Sequence, residues 1–95
     1  MTMYIGLDVH SKKTMYYAQD NDGNKIARGS VATSAEGLTG MLDTLEAEEE
    51  TVIALESGTL ATWTSRLLTA AGMCPKVVDA AEVRRNRGIY PFQHL

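Results

Sequence analysis

Two short apolar runs, each closed by a carboxylate, constrain the fold of this chain more than any other feature. The first is YIGLDVH, in which Asp8 follows the apolar residues 4–7. The second is TVIALE, in which Glu56 closes the run 52–55. Short apolar runs without polar alternation are typical of central strands that are covered on both faces. The sequence therefore predicts an α/β fold with two acids at the carboxyl ends of two buried strands.

The residues that follow the first run predict an antiparallel meander. Residues 14–20 and 25–32 are further strand candidates, and Asp22-Gly23 lies between them. An Asp-Gly pair flanked by strand-like segments is a strong hairpin signal. Strands 1 to 3 are therefore expected to lie side by side in chain order.

Two amphipathic segments predict the helices that join the remaining strands. The first begins at a capping-box pattern in 33–36, with Thr33 as the cap, and its apolar stripe is Leu38, Met41, Leu42 and Leu45. The second begins within 57–59 and ends at Gly72, and its expected buried face is Leu60, Trp63, Leu67 and Ala71. Residues 76–78 then follow as a third buried strand, with Pro75 at its start.

The resulting order, β-β-β-α-β-α-β, predicts a mixed five-stranded sheet. Because helical crossovers between parallel strands are right-handed, strands 1, 4 and 5 should run parallel, with strands 2 and 3 antiparallel at one edge. The simplest strand order is 3-2-1-4-5.

Length and composition limit the class of protein. A chain of 95 residues suits one small domain with a single core. Its 44% hydrophobic and 22% charged residues are those of an ordinary globular protein, and its net charge of -3 argues against a dedicated nucleic-acid-coating surface. No apolar run approaches the roughly 20 residues of a membrane span, and no signal peptide is recognisable, so we expect a cytoplasmic protein without a membrane partner. The single cysteine, Cys74, excludes an internal disulfide and is expected to be a core thiol.

The two strand-ending acids suggest a metal site. If strands 1 and 4 are neighbours, the backbones at Asp8 and Glu56 lie about 4.8 Å apart. Two anions so close repel each other unless a divalent cation neutralises them. Oxygen ligands without a Cys or His cluster favour Mg²⁺ or Mn²⁺. Phosphate-ester chemistry is the resulting hypothesis.

A purely structural role for these acids stays open at this point. Asp8 can accept hydrogen bonds from the following turn, and Glu56 can stabilise the N-terminus of the next helix. Asp79 also ends a strand, but strand 5 would lie about 9.6 Å from strand 1. Asp79 is therefore interpreted as a helix cap outside the site, and His10 as an exposed turn histidine.

Four segments carry a family resemblance, namely YIGLDVHSKKT, the Asp-Gly hairpin, ALESGTLATW and VVDAAEVR. Together they resemble the start of the DEDD-class insertion-sequence transposases, the group that includes the Piv-type DNA invertases. The likeness covers residues 3–85. It implies a RuvC-like, ribonuclease H-like domain in which four acids bind divalent metal and act on DNA strands during transposition. By position, it implies Asp8 and Glu56 as catalytic, metal-binding residues.

The resemblance also implies that part of the site is missing. The family's two remaining aspartates belong to a later Asp-x-x-Asp segment, which this chain lacks. We therefore predict residues 1–85 to be the N-terminal part of a truncated transposase domain and 86–95 to be a divergent, disordered tail. Such a chain should bind Mg²⁺ weakly and be inactive alone. The partner of the intact protein would be DNA at transposon ends, and self-association could cover an exposed sheet face.

Two other classes of protein remain as alternatives. An actin-like or sugar-kinase-like ATPase half-domain also begins with a Gly-x-Asp strand and a hairpin, but usually with small residues after the aspartate, where this chain has the bulky 10–13. A non-catalytic dimerisation module is the other alternative. Stabilisation by nucleotide would favour the ATPase, and indifference of stability to changes at Asp8 and Glu56 would favour the module.

Overall fold

Five strands and two helices make up the part of the chain that the computed structural model describes, residues 2–79. In chain order they are β1 (Tyr4–Val9), β2 (Lys13–Gln19), β3 (Lys25–Ala32), α1 (Ala35–Thr44), β4 (Val52–Glu56), α2 (Ala61–Ala70) and β5 (Cys74–Val78). This is the predicted element order. The tail predicted for 86–95 and the helix expected to begin at Asp79 lie outside the described residues. Neither helix in 2–79 is long and apolar enough to cross a membrane.

The strands form one mixed sheet in the order β3-β2-β1-β4-β5, as predicted. The pairs β1–β2 and β2–β3 are antiparallel, whereas β1–β4 and β4–β5 are parallel. The connection from β3 through α1 to β4 and the connection from β4 through α2 to β5 both move across the sheet toward the β5 edge. Right-handed crossovers therefore place α1 and α2 on the same face, and the two helices contact each other.

The hydrophobic core lies between this face of the sheet and the two helices. Ile5 and Leu7 of β1 pair in register with Ile53 and Leu55 of β4, and all four side chains are buried. The helices contribute the buried residues Leu38, Met41, Leu42, Ala61 and Leu68. We call this side of the sheet the helix face.

The alternate residues of the same strands form the opposite side, which we call the acid face. In β1 and β4 it consists of Tyr4, Gly6, Asp8, Val52, Ala54 and Glu56. Because successive side chains of a strand point to opposite sides, residues in register on neighbouring strands share this face. Neither α1 nor α2 lies on it.

The hairpin between β2 and β3 closes as the Asp-Gly signal predicts. Gly23 has a φ of 83°, a left-handed conformation that glycine adopts without steric cost. The Asp20 carboxylate accepts hydrogen bonds from the backbone N–H groups of Asn24 and Asp22, each at 2.9 Å. These bonds, the one from Asn24 above all, lower the pKa of Asp20.

The predicted cap of α1 is wrong by one residue. Ser34, not Thr33, is the N-cap, with an extended backbone and a side-chain oxygen that accepts from the N–H of Gly37 at 3.0 Å. The hydroxyl of Thr33 is used elsewhere, since it donates to the carbonyl of His10. The predicted apolar stripe is confirmed, with Leu38, Met41 and Leu42 buried and Leu45 partly buried against the core.

The predicted buried face of α2 is displaced by one position. The buried residues are Ala61, Thr64 and Leu68, whereas Trp63 is 40% exposed. Helical spacing fits both sets, and Leu67 of the predicted set is partly buried against the core. The predicted end at Gly72 is confirmed by its φ of 91°.

Strand β5 is less buried than its apolar sequence indicates. It lies at the edge of the sheet, and Lys76 and Val77 are exposed. Cys74 is also exposed, so the expectation of a core thiol is wrong. Cys74 pairs in register with Val52 and therefore lies on the acid face, away from the helices.

Candidate metal centre at the carboxyl ends of β1 and β4

Asp8 and Glu56 occupy equivalent positions on adjacent parallel strands. The last residues that pair in register are Leu7 and Leu55, and each acid is the next residue of its strand. The acids therefore share the acid face, with backbones about one strand spacing, roughly 4.8 Å, apart. Both residues are exposed. The sequence predicted this proximity of Asp8 and Glu56, because each acid closes a short apolar run.

A cleft of about 490 Å³ opens where these two strands end. Its walls are formed by residues 7–11, at the end of β1 and just beyond it, and by residues 56–61, at the end of β4 and just beyond it. The chain leaves β1 toward β2 on one side and leaves β4 toward β5 on the other. Ligands of open α/β sheets bind where successive connections diverge in this way. The two acids thus lie at the place where the fold is best suited to hold a ligand.

His10 contacts the first acid directly. Its Nε2 lies 3.1 Å from Oδ2 of Asp8, and the two side chains are 64% and 59% exposed, respectively. The exposed turn position predicted for His10 is confirmed, but its contact with Asp8 was not predicted. A spacing of two residues on an extended segment, which points both side chains to one side, was the available signal.

Thr33 holds the turn that carries His10. Its hydroxyl donates to the carbonyl of His10 at 2.6 Å and lies 2.8 Å from the hydroxyl of Thr14, which is fully buried. Its backbone N–H donates to the carbonyl of Lys12 at 3.0 Å. The β1–β2 turn is thereby fixed to the junction of β3 and α1. This junction is a structural support of the candidate site that sequence reasoning missed.

Replacing Thr33 by valine should destabilise the chain by about 1–3 kcal/mol, because the buried hydroxyl of Thr14 loses its partner. Thr33→Ser retains the hydroxyl and should lose much less. Urea denaturation followed by circular dichroism measures both changes. Equal stability of the valine variant and the unmodified chain would contradict the role assigned to this hydroxyl.

Comparison with known proteins places this arrangement in a family. The family model of the IS110-type DEDD transposases, described as a transposase, matches residues 5–94. The chain belongs to this transposase family. A search of the curated proteins gives no match to the chain. The five-stranded mixed sheet with parallel β1, β4 and β5 agrees with the RuvC-like, ribonuclease H-like fold implied by the resemblance.

Within residues 2–79 of this transposase domain, the potential metal ligands are sparse. No three His, Cys, Asp or Glu side chains of these residues are gathered closely enough to hold a metal ion. The pair Asp8 and Glu56 offers only carboxylate oxygens, the donor type that Mg²⁺ and Mn²⁺ prefer, and both side chains are accessible from the cleft. The residues therefore fit a hydrated divalent ion held by two ligands.

The backbone around Glu56 is fixed by strand β5. The N–H of Ser57 donates to the carbonyl of Val78 at 2.6 Å, so the parallel pairing of β4 and β5 continues to the rim of the cleft. Asp79 follows directly and is exposed. It is one strand further from Asp8 than Glu56 is, as the predicted strand order requires.

Proposed function

We propose that this chain contributes two carboxylates, Asp8 and Glu56, to a metal-dependent site that cleaves and transfers DNA strands in transposition. The observation that carries the proposal is the parallel register of β1 and β4, which brings these acids together on one face at the cleft. Membership of the DEDD transposase family supports this reading.

The proposed ion is Mg²⁺ or Mn²⁺. Such ions keep part of their water shell and bind phosphate oxygens in exchange for water. When bound, the ion would neutralise the two carboxylates and polarise a phosphate of the DNA backbone. Asp8 is the more central ligand, since it belongs to the middle strand of the sheet and also contacts His10.

Two carboxylates alone make a weak site. With only these two acids contributed by residues 2–79, we expect partial occupancy by Mg²⁺ and no DNA strand cleavage by this chain alone. The contact with His10 holds one oxygen of Asp8 and leaves the other available for a ligand.

The test is binding of Mn²⁺, followed by paramagnetic broadening of backbone amide signals in NMR spectra. Broadening should be confined to residues near the cleft, and Asp8→Asn or Glu56→Gln should reduce the affinity for Mn²⁺ at least tenfold. Asp43→Asn is the matched control, because it removes the same charge from an exposed position at the C-terminal end of α1. Retention of Mn²⁺ affinity in both cleft variants would overturn the proposal.

A further inference from the structure

Two exposed cations flank the acid pair on the same side of the sheet. One row of residues in register crosses all five strands on the acid face, namely Arg28, Tyr17, Gly6, Ala54 and Lys76. The next row toward the cleft contains Asp8 and Glu56. Arg28 and Lys76 therefore mark the two edges of the face, on the edge strands β3 and β5, and the acids lie between them.

Both cations are accessible to a ligand. Arg28 and Lys76 are exposed, and in β3 exposed and partly buried residues alternate from Ile26 to Ala32. Arg28 belongs to the exposed set, because the partly buried residues of β3 are those facing α1. Among the ion pairs of residues 2–79, neither cation takes part.

The spacing of the two cations suits a nucleic acid backbone. Four strand spacings separate β3 from β5, so the two backbone positions are about 19 Å apart. At 3.4 Å per base-pair step, this distance corresponds to roughly five or six steps of duplex DNA. The row with the acids lies two residues further along the strands, about 6.6 Å away. A backbone held at both edges would pass close to Asp8 and Glu56.

Acidic residues are concentrated at the end of the sheet opposite the cleft, where they repel a polyanion. Seven acidic residues lie where β1 and β4 begin, namely Asp20, Asp22, Asp43, Glu46, Glu48, Glu49 and Glu50. They are crowded enough that the side chain of Glu50 raises the pKa of Glu48. The net charge of -3 therefore conceals a polarity along the strands. A phosphate backbone is therefore repelled less at the cleft end of the sheet than at the end where β1 and β4 begin.

We propose that Arg28 and Lys76 are positioning residues that hold DNA phosphates on either side of the Asp8–Glu56 pair. The proposal rests on the proposed function, since it assigns these phosphates to the DNA substrate of the same site. Each cation neutralises one phosphate and releases its condensed counterions, whereas the acids act only on the phosphate between them. The two cations therefore contribute to DNA binding even without metal.

The experiment measures DNA affinity of the full chain as a function of salt concentration, in EDTA, by fluorescence anisotropy. For duplex DNA, Arg28→Gln and Lys76→Gln should each reduce the slope of log K against log[salt] by about 0.9, and the double variant by about twice as much. For single-stranded DNA the expected reduction is about 0.7 for each. Both variants keep the arginines 84, 85 and 87 unchanged.

Arg66→Gln is the matched control, because it removes one exposed positive charge from α2, on the opposite side of the sheet. Its slope should equal that of the unmodified chain. The proposal is overturned if all three variants change the slope equally, if none does, or if the unmodified chain shows no salt-dependent DNA binding. Because the measurement excludes metal, its failure is distinguishable from a failure of Mn²⁺ to bind at Asp8 and Glu56.

Discussion

Replacing Gly37 by alanine should destabilise the chain by about 3 kcal/mol or more, a large part of the total stability of a small domain. A Cβ at this position would overlap the carbonyl oxygen of Ala32, at the place where β3 passes into α1. The obstacle is backbone and not a flexible side chain, so no rotamer change relieves the overlap. Thermal unfolding followed by circular dichroism measures the loss, and α1 together with the junction at Thr33 would be displaced.

Gly40→Ala is the control, since Gly40 lies in the same helix and a Cβ there would meet no atom within 4 Å. Alanine is favoured over glycine in a helix by about 0.8–1 kcal/mol, so this variant should be more stable than the unmodified chain. The two alanine substitutions are thus expected to have opposite signs. A similar effect of both would show that α1 does not approach the end of β3 as closely as described.

Ile53→Ala should destabilise the chain by about 2–5 kcal/mol, the range for removing a large aliphatic side chain from a core. Ile53 is fully buried on the central strand β4, in register with Ile5 on β1. Truncation leaves a cavity between the sheet and the helices. Ile53→Val removes a single methylene group and should cost about 0.5–1.5 kcal/mol. Urea denaturation midpoints at constant m-value provide the comparison.

Val52→Ala tests which side of the sheet is the core. Val52 precedes Ile53, lies on the acid face and is only partly buried. Its truncation should destabilise the chain clearly less than that of Ile53. A larger loss at Val52 would mean that the principal core lies on the acid face and would contradict the assignment of the two faces.

The sheet was predictable because its signals are periodic and local. Uninterrupted apolar runs identified β1 and β4, the Asp-Gly pair fixed the β2–β3 hairpin, and the handedness of crossovers then left one simple strand order. The errors arose where neighbouring residues offer equivalent chemistry. Thr33 and Ser34 are both capping residues, and only the path of the β1–β2 turn determines which hydroxyl is free to cap.

Burial was harder to predict than secondary structure. Helical spacing alone fits a face through Trp63 as well as one through Thr64, and only the packing of α2 in the assembled domain shows that Thr64 is the buried residue. Cys74 has an apolar neighbour in Pro75 and a strand-like context, but its exposure follows from the edge position of β5. The burial of these side chains is determined by the assembled domain and not by the sequence of the segment that carries them.

The candidate site was predictable only in its acidic residues. The adjacency of Asp8 and Glu56 follows from strand order and register, which the sequence pattern determines. The contact between His10 and Asp8, the support from Thr33 and the position of Arg28 depend on turn geometry and on cross-strand pairing over longer distances. The sequence carries only the two-residue spacing of Asp8 and His10 as a signal for the first of these contacts, and no direct signal for the other two.

The parallel pairing of β1 with β4 determines when, during synthesis and folding, the two acids can come together. Asp8 and Glu56 are 48 positions apart (56 minus 8). During synthesis, the N-terminal hairpins can form while the second acid is still unmade, and closure of so long a loop is a slow, non-local step of folding. A nascent transposase therefore has no paired carboxylates until its fourth strand has emerged and docked.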